Sequence, residues 1–164
     1  MTRREPDPRD LRPRGAGGSN RQVLRIPALG KNWAQPVCEG VAEQQLRADI
    51  GHFPGTEEPG QIGDFALAGH RSGVATPAFE GIDRIKTGPT ITVTTGNRIA
   101  YTNTVTKITN VAPTKTDVIA QVPGRPHAAP TGAKLTLITC WPATGRSRRA
   151  VVEADLASSH EGTG

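Results

Sequence analysis

Short stretches in which apolar and polar side chains alternate recur along the chain, and this period of two residues is typical of β-strands. The clearest is residues 135–139, with the sequence LTLIT, which ends directly before Cys140. Residues 90–95 and 98–108 alternate in the same way, and the Gly-Asn pair between them predicts a β-hairpin. Further strands are predicted at residues 23–26, 65–68 and 150–152. Because Pro27 follows residues 23–26, we expect this first strand to lie at the edge of the sheet.

Helical periodicity is weaker and predicts only short helices. Residues 40–49 carry an imperfect apolar stripe, which favours one short helix. Residues 79–85 fit a single helical turn that packs its three large apolar residues inward. Residues 51–64 and 110–133 are rich in Gly or Pro, and we expect them to form two long loops. Loops of that length are more often functional than idle.

Composition favours a mainly β protein with one folded domain. The chain has 164 residues, only 4% of them aromatic, and 19 Gly and 14 Pro interrupt it every few residues. We expect the folded domain to span residues 23–156. Residues 1–22 are rich in Arg, Pro and Gly and predict a disordered arm, and residues 157–164 predict a flexible polar tail.

The formal net charge of +5 is unevenly distributed. The first 25 residues hold seven arginines against three acidic residues and so carry most of it. Because the folded part is nearly neutral, we expect no nucleic-acid partner. The sequence contains neither an apolar run of about 18 residues nor the apolar segment of a secretory signal, so no membrane anchor is visible in it. Either the protein stays inside the cell, or the sequence begins downstream of its targeting segment.

A cysteine at a strand end carries the first candidate chemistry. Cys140 is followed by a turn and then by three arginines: Arg146, Arg148 and Arg149. Positive charge favours the reactive thiolate, and by charge alone all three arginines are eligible. His70 directly follows a buried strand and is a candidate base. The second cysteine, Cys38, is expected to be a small buried hydrophobic residue, with a disulfide to Cys140 as the alternative.

Three motifs occur together and point to a family. They are LAGHR at residues 67–71, TLITC at residues 136–140, and an arginine nine residues after the cysteine that leads into an apolar strand. In combination they resemble the sortases, which are cysteine transpeptidases of Gram-positive cell surfaces. The segments VCEGV, GHFPGTEEPGQIGDFALAGHR and RRAVVEADL narrow the resemblance to the actinobacterial class E branch. The resemblance covers about residues 24–156.

The resemblance implies a fold and a set of site residues. The fold is a closed eight-stranded β-barrel with one or two short helices. Cys140 matches the nucleophile, His70 the catalytic histidine, and Arg149 the arginine that directly precedes the apolar run. Thr139 matches a hydroxyl residue thought to steady the oxyanion. Trp141 stands where class E members commonly have histidine, and we expect both Thr139 and Trp141 to contact substrate.

The remaining histidines are expected to have other roles, and the chemistry needs no additional group. His52 and His127 are predicted to be structural or surface residues, and His160 to belong to the polar tail. Neither a metal nor an organic cofactor is required by any step. A second departure from the family is the stretch SGVATPAF after LAGHR, which lacks the tyrosine that class E members commonly have there.

The implied reaction is the cleavage of a Leu-Ala-x-Thr-Gly or Leu-Pro-x-Thr-Gly sorting signal between Thr and Gly. The implied partners are surface proteins that bear such a signal at their C terminus and the amine of a peptidoglycan precursor (lipid II) or of a pilin. The resemblance implies a monomer acting at the cell surface. Two alternatives are a thiol hydrolase with water as acceptor, and a non-catalytic β-barrel whose basic arm binds nucleic acid or an acidic cell-wall polymer.

Overall fold

The computed structural model describes residues 22–47, 49–71, 77–112, 114–139 and 149–161. These residues form a closed barrel of eight strands in the order β1-β2-β3-β4-β7-β8-β6-β5. The strands are β1 Gln22–Arg25, β2 Ala34–Glu39, β3 Ile50–His52, β4 Gly63–Gly69, β5 Thr90–Thr94, β6 Ile99–Val111, β7 Ala133–Thr139 and β8 Arg149–Glu161. The predicted mainly β fold with a closed eight-stranded barrel is confirmed.

Helices are few and short in the described part of the chain. The helix predicted over residues 40–49 is a single α-helical turn, α1 Glu43–Leu46. Three 3-10 helices span Pro27–Leu29, Ile82–Arg84 and Thr116–Ile119. The turn predicted over residues 79–85 contains the second of these. It buries its three large apolar residues as expected: Phe79, Ile82 and Ile85. No helix in the described ranges is long and apolar enough to cross a membrane.

Two strand pairs are parallel, β2 with β3 and β4 with β7, and the other six pairs are antiparallel. The predicted hairpin is confirmed, because β5 pairs with β6 across a turn in which Arg98 adopts a φ of 64°. The expectation that the first strand is an edge is wrong. β1 is paired on both sides, with β2 and with β5, which closes the barrel.

Strand β2 was not predicted, because a proline interrupts its sequence. Pro36 pairs with Val23 of β1, whereas the pairing of β2 with β3 begins only at Val37 and Ile50. At Pro36 the strand therefore has a ladder on one side only. A residue without a backbone N–H is tolerated at such a position.

Several boundaries also differ from the sequence-based expectation. The loop predicted at residues 110–133 is shorter, because its first two residues belong to β6 and its last to β7. Residues 51–64 are not entirely loop, since their first two residues belong to β3 and their last two to β4. The predicted fraying after Leu156 is wrong for residues 157–161, because β8 stays paired with β6 as far as Glu161 opposite Ile99. The alternation that marks a buried strand is lost in this exposed segment, so the pattern gave no signal there. Residues 1–21 lie outside the described residues, and the predicted arm remains a prediction.

The barrel has an apolar interior and a second apolar cluster on its outer face. The interior cluster takes residues from all eight strands, such as Phe65 and Leu67 of β4 and Leu135 and Leu137 of β7. A separate cluster lies on the outer face of these strands. It contains strand residues that point outward and two helical residues, and its members are Leu46, Ala68, Val111, Val118, Ile138 and Val151. The helix α1 and the 3-10 helix Thr116–Ile119 cover this outer cluster. Strands β4 and β7 are thus buried on both faces.

Asp64 is the buried acid of this doubly covered region. It lies in β4, is 1% exposed, and accepts a hydrogen bond from the Thr136 hydroxyl at 2.8 Å. Its other carboxylate oxygen, Oδ2, is buried without a hydrogen-bond partner in the described structure. Burial raises the pKa of Asp64 from 3.8 to about 7, and the Thr136 hydrogen bond lowers it by a smaller amount.

This raised pKa gives the folded protein a defined pH dependence. Between the unfolded and folded pKa values the folded chain holds a proton that the unfolded chain has lost, so stability falls as pH rises from about 4 to about 7. We expect Asp64→Asn to be more stable than the parent at pH 8 by up to about 4 kcal/mol, and the difference to vanish near pH 4. Urea unfolding at pH 4, 6 and 8 measures it.

The matched control is Asp83→Asn, which removes an exposed carboxylate that is paired with Arg71. Exposed ion pairs contribute about 0–1 kcal/mol, so this variant should differ little from the parent at each pH. A stabilisation by Asp64→Asn that is the same at pH 4 and pH 8 would contradict the assignment of the pH dependence to Asp64.

Candidate active site

The candidate site lies where two neighbouring parallel strands end. Strands β4 and β7 are paired in parallel from Gly63 and Ala133 to Gly69 and Thr139. His70 directly follows the end of β4, and the chain leaves β7 toward Cys140 at the same end of the sheet. Cys140 and Trp141 lie outside the described residues, so their predicted roles remain predictions.

The third predicted residue begins the next strand. Arg149 is the first residue of β8 and pairs with Val111 of β6. Because β8 runs antiparallel to β7, its first residues lie beside the last residues of β7, as the pairing of Ile138 with Val151 shows. The barrel therefore brings His70 and Arg149 to the same end as the strand that leads to Cys140.

A backbone hydrogen bond holds His70 in place, whereas its ring nitrogens make no hydrogen bond to the described residues. Its carbonyl oxygen accepts a hydrogen bond from the N–H of Phe79 at 2.8 Å. Both ring nitrogens, Nδ1 and Nε2, are buried atoms without a hydrogen-bond partner among the described residues. Buried polar atoms are rarely left without partners in folded proteins. An imidazole in this condition is suited to exchange a proton with a bound reactant.

The presence of glycine at position 69 of the LAGHR motif has a steric explanation. A Cβ atom on Gly69 would lie 2.7 Å from Cδ2 of the Phe79 ring, closer than carbon atoms can approach. The Phe79 ring is fully buried and packs over the last residue of β4. Arg71, on the other side of His70, forms an ion pair with Asp83. His70 is thus fixed on both sides by contacts to the segment that precedes β5.

Arg149 shows a similar unsatisfied group. The residue is half-buried, and its Nε is a buried atom with no hydrogen-bond partner in the described ranges. A guanidinium offers several donors in a fixed plane, which suits carbonyl and carboxylate oxygens of a ligand. His70 and Arg149 thus place, at one end of the barrel, polar groups that have no partner among the described residues.

Thr139 joins the ends of β7 and β8. Its side chain is 1% exposed, and its Oγ1 accepts a hydrogen bond from the backbone N–H of Ala150 at 2.9 Å. The same hydroxyl lies 3.5 Å from the carbonyl oxygen of Ala150. This contact fixes the residue that directly follows Arg149. The oxyanion role of Thr139 stays a prediction, whereas its link to β8 was not visible in the sequence, because the two residues are eleven positions apart.

The other candidate residues lie elsewhere. His52 is 2% exposed, and both of its ring nitrogens make hydrogen bonds. His127 is exposed on the β6–β7 connection (residues 112–132), and His160 is exposed in β8. Cys38 is half-buried and not a purely apolar core residue, since its Sγ donates a hydrogen bond to the Asp49 carboxylate at 3.1 Å.

Comparison with known proteins identifies the family. A family model described as a sortase domain matches residues 24–157. The chain belongs to the sortase family. The membership in a family of cysteine transpeptidases that the motifs predicted is therefore confirmed.

Solved structures support the class E assignment. The fold is similar to sortase E from Streptomyces avermitilis, with 32% identity and a TM-score of 0.76, over 88% of this chain and 93% of that chain. It is also similar to the SrtA sortase from Actinomyces oris, with 32% identity and a TM-score of 0.78, over 91% and 86% of the two chains. The predicted class E-like character is confirmed.

A curated relative shows that the chain covers only part of some family members. Sortase A from Streptococcus agalactiae is 27% identical over 130 residues, which represent 77% of this chain. The chain spans about half of that relative's length, 49%.

The hydrogen bond between Thr139 and Ala150 leads to a stability prediction. Thr139→Val keeps the shape of the side chain but leaves the buried N–H of Ala150 without an acceptor. We expect it to lower the free energy of unfolding by about 1–3 kcal/mol. Thr139→Ser keeps the hydroxyl and is the matched control, with a smaller loss. Urea unfolding compares the three proteins, and equal stability of the valine variant and the parent would contradict the structural role of the hydroxyl.

Proposed function

We propose that this protein is a cysteine transpeptidase that cleaves a Leu-Ala-x-Thr-Gly or Leu-Pro-x-Thr-Gly sorting signal between Thr and Gly. The observation that carries the proposal is the common location of His70 and Arg149 at the barrel end where β7 leads to Cys140, with polar atoms that no described residue pairs. Membership in the sortase family supplies the reaction class.

In the first half-reaction, the Cys140 thiolate attacks the threonine carbonyl carbon and forms a tetrahedral intermediate. The C–N bond to glycine then breaks, the threonine acyl group remains on sulfur as a thioester, and His70 donates a proton to the departing amine. Arg149 donates hydrogen bonds to the substrate backbone and to the oxygen that gains negative charge. Thr139 supports this arrangement because its hydrogen bond to Ala150 holds the first residues of β8 beside β7.

In the second half-reaction, an amine attacks the thioester and transfers its proton to His70. The C–S bond breaks, a new amide forms, and the thiolate is restored. The proposed acceptor is the amine of a peptidoglycan precursor or of a pilin, and the proposed donors are surface proteins with a C-terminal sorting signal. Such a reaction requires an extracytoplasmic location, which is part of the proposal.

The loop between β6 and β7 is a candidate wall of the substrate groove. This β6–β7 connection (residues 112–132) includes the 3-10 helix Thr116–Ile119 and arrives at the strand that precedes Cys140. Val118 anchors it on the outer apolar cluster. We propose that the connection contacts the sorting signal, together with Trp141.

The decisive experiment supplies both sorting-signal peptides with an amine nucleophile and follows the products by mass spectrometry. A ligated product supports transpeptidation, and only hydrolysed peptide at every amine concentration would favour the alternative of a thiol hydrolase. Trapping of the thioester by intact-mass measurement identifies Cys140 as the acylated residue. If no peptide is cleaved while the protein binds an acidic polymer, the non-catalytic binding module is favoured.

Single substitutions test the three roles. We expect Cys140→Ala to abolish cleavage, His70→Ala to lower kcat/KM by about 10²–10⁴-fold, and Arg149→Lys to lower it by about 10²–10³-fold. Arg98→Lys at the exposed β5–β6 turn is the matched control and should retain parental activity. Parental activity of Arg149→Lys would remove Arg149 from the mechanism.

A further inference from the structure

A second cluster of polar side chains surrounds His52, the last residue of β3. The His52 side chain is 3% exposed, and its ring packs against Phe65 with the ring centroids 4.8 Å apart. Strand β3 lies between β2 and β4, so the ring is fixed in the wall of the barrel. This cluster shares no residue with the candidate active site.

One side of the imidazole faces two hydrogen-bond acceptors. Nε2 lies 2.9 Å from the carbonyl oxygen of Glu57 and 2.9 Å from the hydroxyl of Thr56. That hydroxyl donates its own hydrogen to the carbonyl oxygen of Phe53 at 2.8 Å, so it too acts as an acceptor toward the ring. A carbonyl oxygen only accepts hydrogen bonds, and therefore Nε2 carries the hydrogen. In the neutral imidazole this leaves the lone pair on Nδ1.

The other side of the imidazole faces two carboxylates. Nδ1 lies 2.7 Å from Oε2 of Glu39 and 3.8 Å from Oε1 of Glu58. One nitrogen and two carboxylate oxygens, one from each of the three residues, lie within 4.8 Å of one another. An imidazole nitrogen and two carboxylate oxygens that converge in this way form a ligand set suited to a divalent cation.

We propose that Glu39, His52 and Glu58 bind a divalent transition-metal ion of the Zn²⁺, Co²⁺ or Mn²⁺ type. The charge of two carboxylates balances that of the ion. A nitrogen donor among three ligands favours these ions over Ca²⁺ and Mg²⁺, which prefer oxygen ligands. The hydrogen bond from Nε2 to the Glu57 carbonyl is the outer contact that metal-binding histidines commonly make, and it orients Nδ1 toward the ion.

The present side-chain positions need only small changes to accept an ion. Tetrahedral coordination with bonds of about 2.0–2.2 Å places ligand atoms about 3.3–3.6 Å apart. The 2.7 Å distance from Nδ1 of His52 to the Glu39 carboxylate must therefore lengthen, and the 3.8 Å distance from Nδ1 to the Glu58 carboxylate must shorten. The Glu39 and Glu58 side chains are 51% and 53% exposed and can rotate, whereas His52 is held by its ring contacts. Three protein ligands leave a fourth position for water.

Binding would connect three separate segments. Glu39 ends β2, His52 ends β3, and Glu58 belongs to the β3–β4 loop (residues 53–62). The loop in turn contacts the β6–β7 connection, because the side-chain amide of Gln121 donates to the Glu57 carboxylate at 3.3 Å. The ion would therefore fasten the β3–β4 loop to the barrel without taking part in the chemistry at His70 and Arg149. The inference stands independently of the proposed function.

The test measures Co²⁺ and Zn²⁺ binding to the full chain without a purification tag, in a Cys140→Ala background that removes one competing thiol. We expect one ion per chain by isothermal titration, and cobalt absorption without the charge-transfer band of a thiolate ligand. Glu39→Gln and Glu58→Gln should each weaken binding about 10-fold or more. Zn²⁺ at about 100 times its Kd should raise the Tm by about 5–10 °C.

Glu57→Gln is the matched control, since its carboxylate faces Gln121 and only its backbone carbonyl contacts His52. It should bind the ions as the parent does. The proposal fails if no ion binds to the folded parent, which would leave a proton between His52 and Glu39. It also fails if Co²⁺ binding is unchanged in Glu39→Gln and Glu58→Gln, if a thiolate band appears, or if Ca²⁺ binds more tightly than Zn²⁺.

Discussion

The parallel pairing of β4 with β7 is the constraint on which the rest of the structure depends. Its register sets Gly69 opposite Thr139, so that the chain leaves both strands at one end of the barrel. Any slip of one residue would turn the interior side chains of either strand toward the outside. The apolar clusters on both faces oppose such a slip, because β4 and β7 contribute residues to each of them. The location of the candidate active site follows from this register.

Because β4 and β7 are buried on both faces, polar groups in and beside these strands need hydrogen-bond partners within the protein. Asp64 and Thr136 lie on adjacent strands and share a hydrogen bond where water has little access. The hydroxyl of Thr139 satisfies the backbone of Ala150 at the start of β8. The first contact joins residues 72 positions apart, and the second joins the consecutive strands β7 and β8. The barrel therefore fixes the strand ends, while polar side-chain atoms of His70 and Arg149 have no hydrogen-bond partner in the part of the chain that the structure describes.

The sequence allowed the elements with local signals to be predicted, and the motifs allowed the family to be predicted. Alternation identified the β5–β6 hairpin and β7, because period and turn chemistry are local properties. Strand β2 was missed since Pro36 is tolerated only through a one-sided ladder, which depends on the position of β3. The end of β8 was missed because its exposed polar residues are held by pairing with β6. The hydrogen bonds between Thr139 and Ala150 and between His52 and Glu39 were equally invisible, as they join residues that strand pairing in the barrel brings together.

The β3–β4 loop and the β6–β7 connection are anchored to the barrel at points away from their ends. In the β3–β4 loop, Gly60 has a φ of 83° and packs so closely on Tyr101 of β6 that a Cβ there would lie 2.2 Å from the ring. In the β6–β7 connection, Val118 packs into the outer cluster that also contains Ala68 and Ile138. Each loop is thus fixed to the barrel at an interior point, and Gln121 and Glu57 join the two loops. A groove walled by the β6–β7 connection would have a fixed floor of strand ends, and residues of that wall could change without disturbing the register of β4 and β7.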